Sequence, residues 1–492
     1  MRFDMFYELA VPGFTGLTER DVYHHSLAEI ELADQAGFNG VWAVEHHFFR
    51  EYSHCPAPEV FLAAISQRTR QMRIGHAVVL LPFNHPVRVA ERIAALDILS
   101  DGRIDVGVGR GVSPLEYDVF GGKMSESRPR VDEGLEILRR AWSEQPFSFE
   151  GQFWNFPEID VVPKPIQRPH PPLWTAAVSP ETFPMAAEQG LGVLAGPFKP
   201  LFMIAEDREH FVSRCRELGR DPRELGFGMT IGVVVLDDAK EARRVAAQNI
   251  RWFYEQLLRL TAPVLERGGE SYRYYREELG TLRALTGGTP SLEALEAAGM
   301  VVAGDPPHAI EQLRRLTDHG IDHVLCALQA GGVPHPQVMR SIELFGEHVI
   351  PALRDVTVGA PDGSGDGSRD GKRRRPDMRI FLRESENVTP ELLFAAMPLS
   401  FRRDRADGDR SLYQIDLSGD GGGSWWVRIA DGECEILREP PPEAPDVRIR
   451  SDAETWVALA KGTRSQAGAL LTRRLRIKGN RRKAARLARL FG

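Results

Sequence analysis

From its first residues to Leu353 the chain repeats one unit: a short apolar run, a turn, then a stretch with helical spacing. The runs are FDMFY, GVWAV (Gly40–Val44), RIGHAVVLL (Arg73–Leu81), RIDVGVG (Arg103–Gly109), LWTAAV (Leu173–Val178), GVLA (Gly192–Ala195), FGMTIGVVVL (Phe227–Leu236) and HVLCALQ (His323–Gln329). Several are apolar at every position, as strands are when helices cover both faces of a parallel sheet. Between them lie helical patterns: Asp21–Ala36, ended by Gly37, then Pro58–Thr69, the stripe Val89, Ile93, Leu96 and Leu99, and Val131–Trp142. A closing helix carries Val338, Ile342, Phe345 and Val349. Eight such units predict an α/β fold, a (β/α)8 TIM barrel with insertions; a doubly wound open sheet is the alternative. In a barrel, the chemistry belongs where strands end and the following loops begin.

Two stretches exceed the repeat. Phe149–Pro172 is rich in proline and aromatics and reads as an extended excursion. Thr261–Asp305 holds ERGGESYRYYREELG and two glycine pairs, Gly268–Gly269 and Gly287–Gly288. A loop of that length in a compact domain is a lid or lacks fixed structure.

The repeat stops at VGAPDGSGDGSRDGKRRRPD (Val358–Asp377), which has almost nothing to bury and reads as a flexible linker. The expected division is a first domain at 1–354, a linker at 355–378 and a second domain at 379–492. In the second, LYQIDLSGDGGGSWWVRIADGECEIL reads as a meander, with Trp425, Val427 and Ile429 on one face and a turn at Asp431-Gly432. PDVRIRSD is a further strand, Ser451 or Asp452 caps a helix over Ala453–Ala460, and a last helix lies near Arg481–Leu490, giving an α+β fold. Phe394, Trp425 and Trp456 are expected in its core rather than in a ligand cage.

The net charge is −7, yet no acidic residue follows Glu454 while lysine and arginine continue to Arg489. A solvated helix face is the plain reading of that basic end, peripheral lipid contact the functional one; no nucleic acid is expected. No apolar run approaches the ~20 residues of a membrane span, and MRFDMFYELA is not a signal peptide, so a cytoplasmic protein is expected. Cys55, Cys215, Cys326 and Cys434 are widely separated, which fits free thiols and not a disulfide framework or structural zinc.

Three motifs fall at expected strand ends. In VEHHF (Val44–Phe48), alternation along a strand forbids His46 and His47 from both facing inward. Three readings stand there: a zinc set with His54 and Cys55 that no spacing enforces, a structural pair, or a base or hydrogen-bond donor at the barrel mouth. Gly107, Gly109 and Gly111 do not form a dinucleotide fingerprint; small residues there admit a planar ligand close to the backbone. Arg110 ends strand four and Arg128 lies on the following loop, in ESRPR, both suited to a phosphate. In VSPET (Val178–Thr182), Ser179 is the expected N-cap and Pro180 the first helical residue, at a helix N-terminus that would favour an anion. Taken singly these are capping and surface charge; together they form a phosphate cradle.

VEHHF, IGHAVVLLPFNHPVRVAE, LSDGRIDVGVGRG, AAVSPET and the closing GDPPHAIEQLRRL, GIDHVLCALQAGG and SIELFGEHVIPAL resemble the bacterial luciferase-like flavin monooxygenases over about residues 1–354. The resemblance implies reduced FMN as cofactor, O2 as co-substrate and a flavin C4a-hydroperoxide. It makes His46 the catalytic histidine and places Arg110, Arg128, Ser179, Thr182, Val112 and the backbone of Ala176, Ala177 and Val178 on the FMN phosphate. Ala77–Val78 matches a non-prolyl cis peptide beneath the flavin ring. Luciferase itself has a reactive cysteine where this chain has Gly109, so neither thiol chemistry nor light emission is implied. No metal is expected. A small hydrophobic substrate, a separate NAD(P)H:flavin reductase and a homodimer follow from the same resemblance. A coenzyme F420-dependent oxidoreductase on the same barrel is the alternative, and a non-catalytic lipid carrier a third reading. LSGDGGGSWWVRIADG, PDVRIRSDAETWVALAKG and RLRIKGN resemble the sterol carrier protein 2 family over 379–492, implying a domain that binds apolar lipid-like molecules.

Overall fold

The computed structural model describes residues 1–267, 291–358, 410–430 and 433–490, with scattered positions between 389 and 408. It divides into two compact units, the first built from residues 1–276 and 299–368, the second from the rest.

Strands of the first unit are β1 (Arg2–Tyr7), β2 (Gly40–Ala43), β3 (Arg73–Leu80), β4 (Ile104–Gly109), β5 (Phe147–Glu150), β6 (Asn155–Ile159), β7 (Leu173–Ala177), β8 (Gly192–Ala195), β9 (Phe227–Val235), β10 (Val301–Gly304) and β11 (His323–Ala327). Eight pair in parallel in the order β11-β1-β2-β3-β4-β7-β8-β9, and β9 returns to β11, closing the barrel. All nine residues of β9 are buried, which is why its sequence shows no polar alternation. At the foot of the barrel, buried Asp4 joins three strands: it accepts from Trp42 Nε1 at 2.7 Å, from Arg2 Nη2 at 3.0 Å, and pairs with His323 Nε2 at 2.8 Å.

The helices are α1 (Glu19–Ala36), α2 (Pro58–Ser66), α3 (Pro86–Leu99), α4 (Pro114–Phe120), α5 (Ser127–Ala141), α6 (Thr182–Gln189), α7 (Leu201–Glu217), α8 (Pro222–Leu225) and α9 (Ala239–Arg267). Helix α1 starts at a capping box between Thr18 and Asp21 and stops at Gly37, whose φ of 93° an L side chain would resist. Two further helices, Pro306–Thr317 and His335–Leu344, flank β11.

Three expectations are corrected. The stretch Thr261–Asp305 is not all loop. Helix α9 continues to Arg267, and Val301–Gly304 forms β10, which pairs with Gly232–Val235 beyond the point where β8 leaves β9. Both glycine pairs lie outside the described residues. Arg128 sits in the first turn of α5, not in a loop. Helix α6 begins at Thr182, so Ser179 and Pro180 precede it and Ser179 is not its N-cap. The excursion Phe149–Pro172 contains β6, which makes an antiparallel hairpin with β5; the Glu133 carboxylate holds its loop by accepting from Gln152, Phe153 and Trp154 N–H.

The second unit holds β12 (Ser411–Ser418), β13 (Gly423–Ala430), β14 (Glu433–Leu437), β15 (Val447–Asp452) and β16 (Leu475–Gly479), in the order β14-β13-β12-β15-β16. Trp425, Val427 and Ile429 share the buried face with Tyr413, Ile415, Val447 and Ile449. Phe394 stacks on Trp425 with centroids 4.4 Å apart, and Trp456 packs on the same cluster, so all three aromatics are core. Asp452, not Ser451, caps the helix Ala453–Ala460, accepting from Thr455 N–H at 2.7 Å. In the helix Arg481–Leu490, Leu487 and Leu490 join the core. Residues 359–378 of the expected linker and the expected turn Asp431-Gly432 lie outside the described residues.

Candidate active site

The ends of β1, β2, β3, β4, β7 and β8 surround one cavity of about 1330 Å³, measured out to its open mouth.

Basic and hydroxyl groups contribute to its lining. Arg110 follows β4 directly, and its carbonyl accepts from the Tyr117 hydroxyl of α4. Arg128 reaches from α5 toward the start of α6, with Nη1 2.9 Å from Met185 Sδ and Nη2 3.9 Å from Glu181 Oε1. Ser179 and Thr182, both buried, bring their hydroxyls to 3.0 Å of each other, while Thr182 N–H donates to the Ser179 carbonyl at 2.9 Å. This short turn takes the place of the expected cap. Arg110, Val112, Arg128, Ala176, Val178, Ser179 and Thr182 all line the cavity. Ala177 lies between two of them, but strand alternation buries its side chain in the barrel wall.

Ala77 and Val78 form another part of the wall, and the peptide between them is cis. The glycines of β4 make room for this segment. A Cβ at Gly109 would stand 2.3 Å from Val78 Cγ2, and one at Gly107 would stand 2.2 Å from the His76 carbonyl oxygen. On the Cβ side of Gly107 and Gly109 that space is taken by β3, while Gly109 and Gly111 still line the cavity.

His46 lines the cavity, whereas His47 turns away. His47 packs edge-on against Phe120, 4.8 Å between centroids, with Nε2 3.3 Å from Glu45 Oε1. Glu45 is structural: it accepts from Leu80 N–H and Asn84 Nδ2, both at 2.9 Å, and so fastens the end of β2 to the end of β3. His46 lies between two buried carboxylates, with Nε2 3.8 Å from Glu8 Oε2 and Nδ1 3.7 Å from Glu116 Oε1. Burial alone would lower its pKa; Glu116, Glu8 and Glu45 outweigh that and hold it above the ordinary histidine value. Burial pushes the Glu8 carboxyl up, against the opposing effects of His46 and the Tyr52 hydroxyl. The sequence reading missed Glu8 and Glu116. Their place directly after β1 and within α4 was the available signal, since side chains at strand ends face a barrel's mouth.

Phe6, Phe49, Tyr52, Leu257, Leu260 and Leu325 supply an apolar part of the same lining.

A closed parallel barrel with two arginines, two hydroxyls and a buried histidine on one cavity at its mouth has the architecture of a TIM-barrel enzyme. The chain belongs to the luciferase-like monooxygenase family, whose model matches residues 1–323. Residues 401–492 match the SCP-2 sterol transfer family. The chain is 30% identical over 244 residues to the oxygenase component of a flavin-dependent trigonelline monooxygenase from Acinetobacter baylyi, an alignment covering 48% of this chain and 66% of that protein, just under two thirds of its length. Monooxygenase RslO1 from Streptomyces bottropensis superposes with a TM-score of 0.60 at 28% identity, over 71% of this chain and 99% of that one. Two more distant structures share the fold. One is the oxygenating constituent of Pseudomonas putida 3,6-diketocamphane monooxygenase in complex with FMN, at 23% identity and a TM-score of 0.59, covering 71% of this chain and 98% of that one. The other is an F420-dependent secondary alcohol dehydrogenase, at 20% and 0.55, covering 72% and 99%.

Proposed function

We propose that this chain is the oxygenase component of a two-component monooxygenase that uses reduced FMN and O2 to oxygenate a small hydrophobic molecule, an aldehyde, a ketone or a lipid-like compound. The observation that carries this reading is the meeting of Arg110, Arg128, Ser179, Thr182 and His46 on one cavity. The donor set fits FMN: two guanidinium groups and two hydroxyls suit its phosphate, and Val78 and Leu194 offer apolar walls to its ring. Bound there, reduced flavin supplies the activation of dioxygen. The chain's own residues do the rest. Arg110 and Arg128 orient the cofactor, His46 holds a proton beside the reacting groups, and Phe6, Phe49, Tyr52, Leu257 and Leu260 exclude water and receive the apolar substrate.

A separate NAD(P)H:flavin reductase supplies the reduced flavin. The second unit binds a lipid-like molecule, and tethering raises its effective concentration at the barrel. Exposed Arg476, Lys478 and Arg482 suit contact with an anionic lipid surface. The protein works in the cytoplasm as a homodimer; among the described residues no helix is long and apolar enough to cross a membrane.

The test is anaerobic titration with reduced FMN and, separately, reduced F420, followed by admission of oxygen. Saturable binding of reduced FMN and oxygen consumption that depends on it are expected. Binding of reduced F420 alone would favour the alternative cofactor. Neither binding, with lipid retained by the second unit, would favour a carrier.

A further inference from the structure

Three polar atoms beside the cavity are buried without a hydrogen-bond partner: Glu8 Oε2, His46 Nδ1 and Glu116 Oε2. They belong to neighbours in one cluster, since the imidazole faces Glu8 with one nitrogen and Glu116 with the other. Separations of 3.7–3.8 Å are too long for hydrogen bonds but well inside the range where charge acts.

Both carboxylates are held from outside the cluster. The Tyr52 hydroxyl donates to Glu8 Oε1 at 2.9 Å, and the Ser53 hydroxyl donates to the Glu8 carbonyl at 2.7 Å. Glu116 Oε1 accepts from the His47 N–H at 2.9 Å. Other titratable groups surround the cluster. Glu45 is engaged by Leu80 and Asn84. The Cys55 thiol is buried and raised by burial, and its carbonyl accepts the His46 N–H at 3.1 Å. Burial likewise raises the hydroxyls of Tyr52 and Tyr254. Arg110 lines the same cavity among the cofactor-facing groups. With both carboxyls ionised, a neutral imidazole would leave two buried negative charges facing each other across an uncharged ring, an arrangement that costs far more than a paired one.

We propose that Glu8 and Glu116 keep His46 an imidazolium, so that His46 is the site's proton donor and Glu8 is a positioning residue for it. The donor role rests on the reading above; the charge of the cluster does not. In the proton transfer, the N–H bond at His46 Nε2 breaks and an O–H bond forms on an anionic oxygen presented in the cavity. The electron pair remains on the imidazole, and solvent later returns the proton.

The test is NMR titration of the full-length, histidine-labelled chain without cofactor, with the His46 signal identified by its loss in His46→Asn. The midpoint is expected above the ordinary ~6.5. It should fall by about one unit or more in Glu8→Gln and in Glu116→Gln, and stay high in Glu8→Asp. A midpoint at or below the ordinary value in the unaltered chain overturns the proposal, and that measurement needs no variant to fold. An unmoved midpoint in Glu8→Gln overturns the role of Glu8. With reduced FMN and substrate supplied, the alkaline limb of the pH–rate profile should move to lower pH in Glu8→Gln. A high midpoint in a chain that binds no reduced FMN would defeat the proposed function and leave the imidazolium standing.

Discussion

Ser179 and Thr182 place their hydroxyl oxygens 3.0 Å apart in the buried turn between β7 and α6, within the same lining as Arg110 and Arg128. Hydroxyls and guanidinium groups from two strand–helix units thus line one cavity. Removing either arginine should weaken binding of reduced FMN. A charge-assisted bond is worth about 1.5–3 kcal/mol, so Arg110→Ala and Arg128→Ala should each cost roughly 10- to 100-fold in Kd. Anaerobic titration measures this; unchanged affinity in both variants would move the phosphate elsewhere.

Glu45 should matter for stability rather than chemistry. Glu45→Ala leaves Leu80 N–H and Asn84 Nδ2 without their buried acceptor and should destabilise the barrel by about 2–4 kcal/mol. Denaturant unfolding reads the loss. A stable Glu45→Ala chain with reduced turnover would show instead that Glu45 acts in the reaction.

The foot of the barrel predicts acid sensitivity. Burial would raise the Asp4 carboxyl, but Arg2, His323 and Trp42 outweigh it and hold Asp4 well below the ordinary carboxylate value. A depressed folded pKa gives stability that is present above the unfolded value of about 3.9 and is lost as pH falls through the folded one. Unfolding free energy should therefore drop below about pH 4. Asp4→Asn should be less stable by about 3–5 kcal/mol at pH 7 and show a shallower acid loss. Equal acid slopes in the two chains would contradict the assignment.

In the second unit, Trp425 stacks on Phe394 and lies 1% exposed in the core. Trp425→Ala should destabilise that unit by about 3–5 kcal/mol. Calorimetry should show its transition shifted and the barrel's unchanged. Tighter lipid binding in the variant, without loss of stability, would mean that the tryptophan fills a ligand cavity.

Much of this was legible in the sequence because the signals are local. Apolar runs such as GVLA, the stop at Gly37 and the motifs VEHHF and GRG mark strand ends without any knowledge of the fold. What was missed depends on distant partners. Glu8 looks like any carboxylate after a strand, and its burial comes from Tyr52 and His46, far along the chain. Nothing local shows that Gly107 and Gly109 also make room for His76 and Val78 of the neighbouring strand. Strand β10 is a four-residue run inside a stretch rich in charge and glycine, and only its pairing with β9 makes it a strand. Ser179 before proline carried a plain capping signal, but the chain makes one more turn before α6 starts.

The central claim is that His46 handles a proton at a cavity that other residues make competent to hold the cofactor. His46→Ala tests it with two readings from one preparation: affinity for reduced FMN, and substrate oxygenated per flavin oxidised. Near-normal affinity is predicted, with oxygenation falling by roughly 100-fold or more and flavin oxidation diverted to hydrogen peroxide. Normal product yield in His46→Ala would contradict the account.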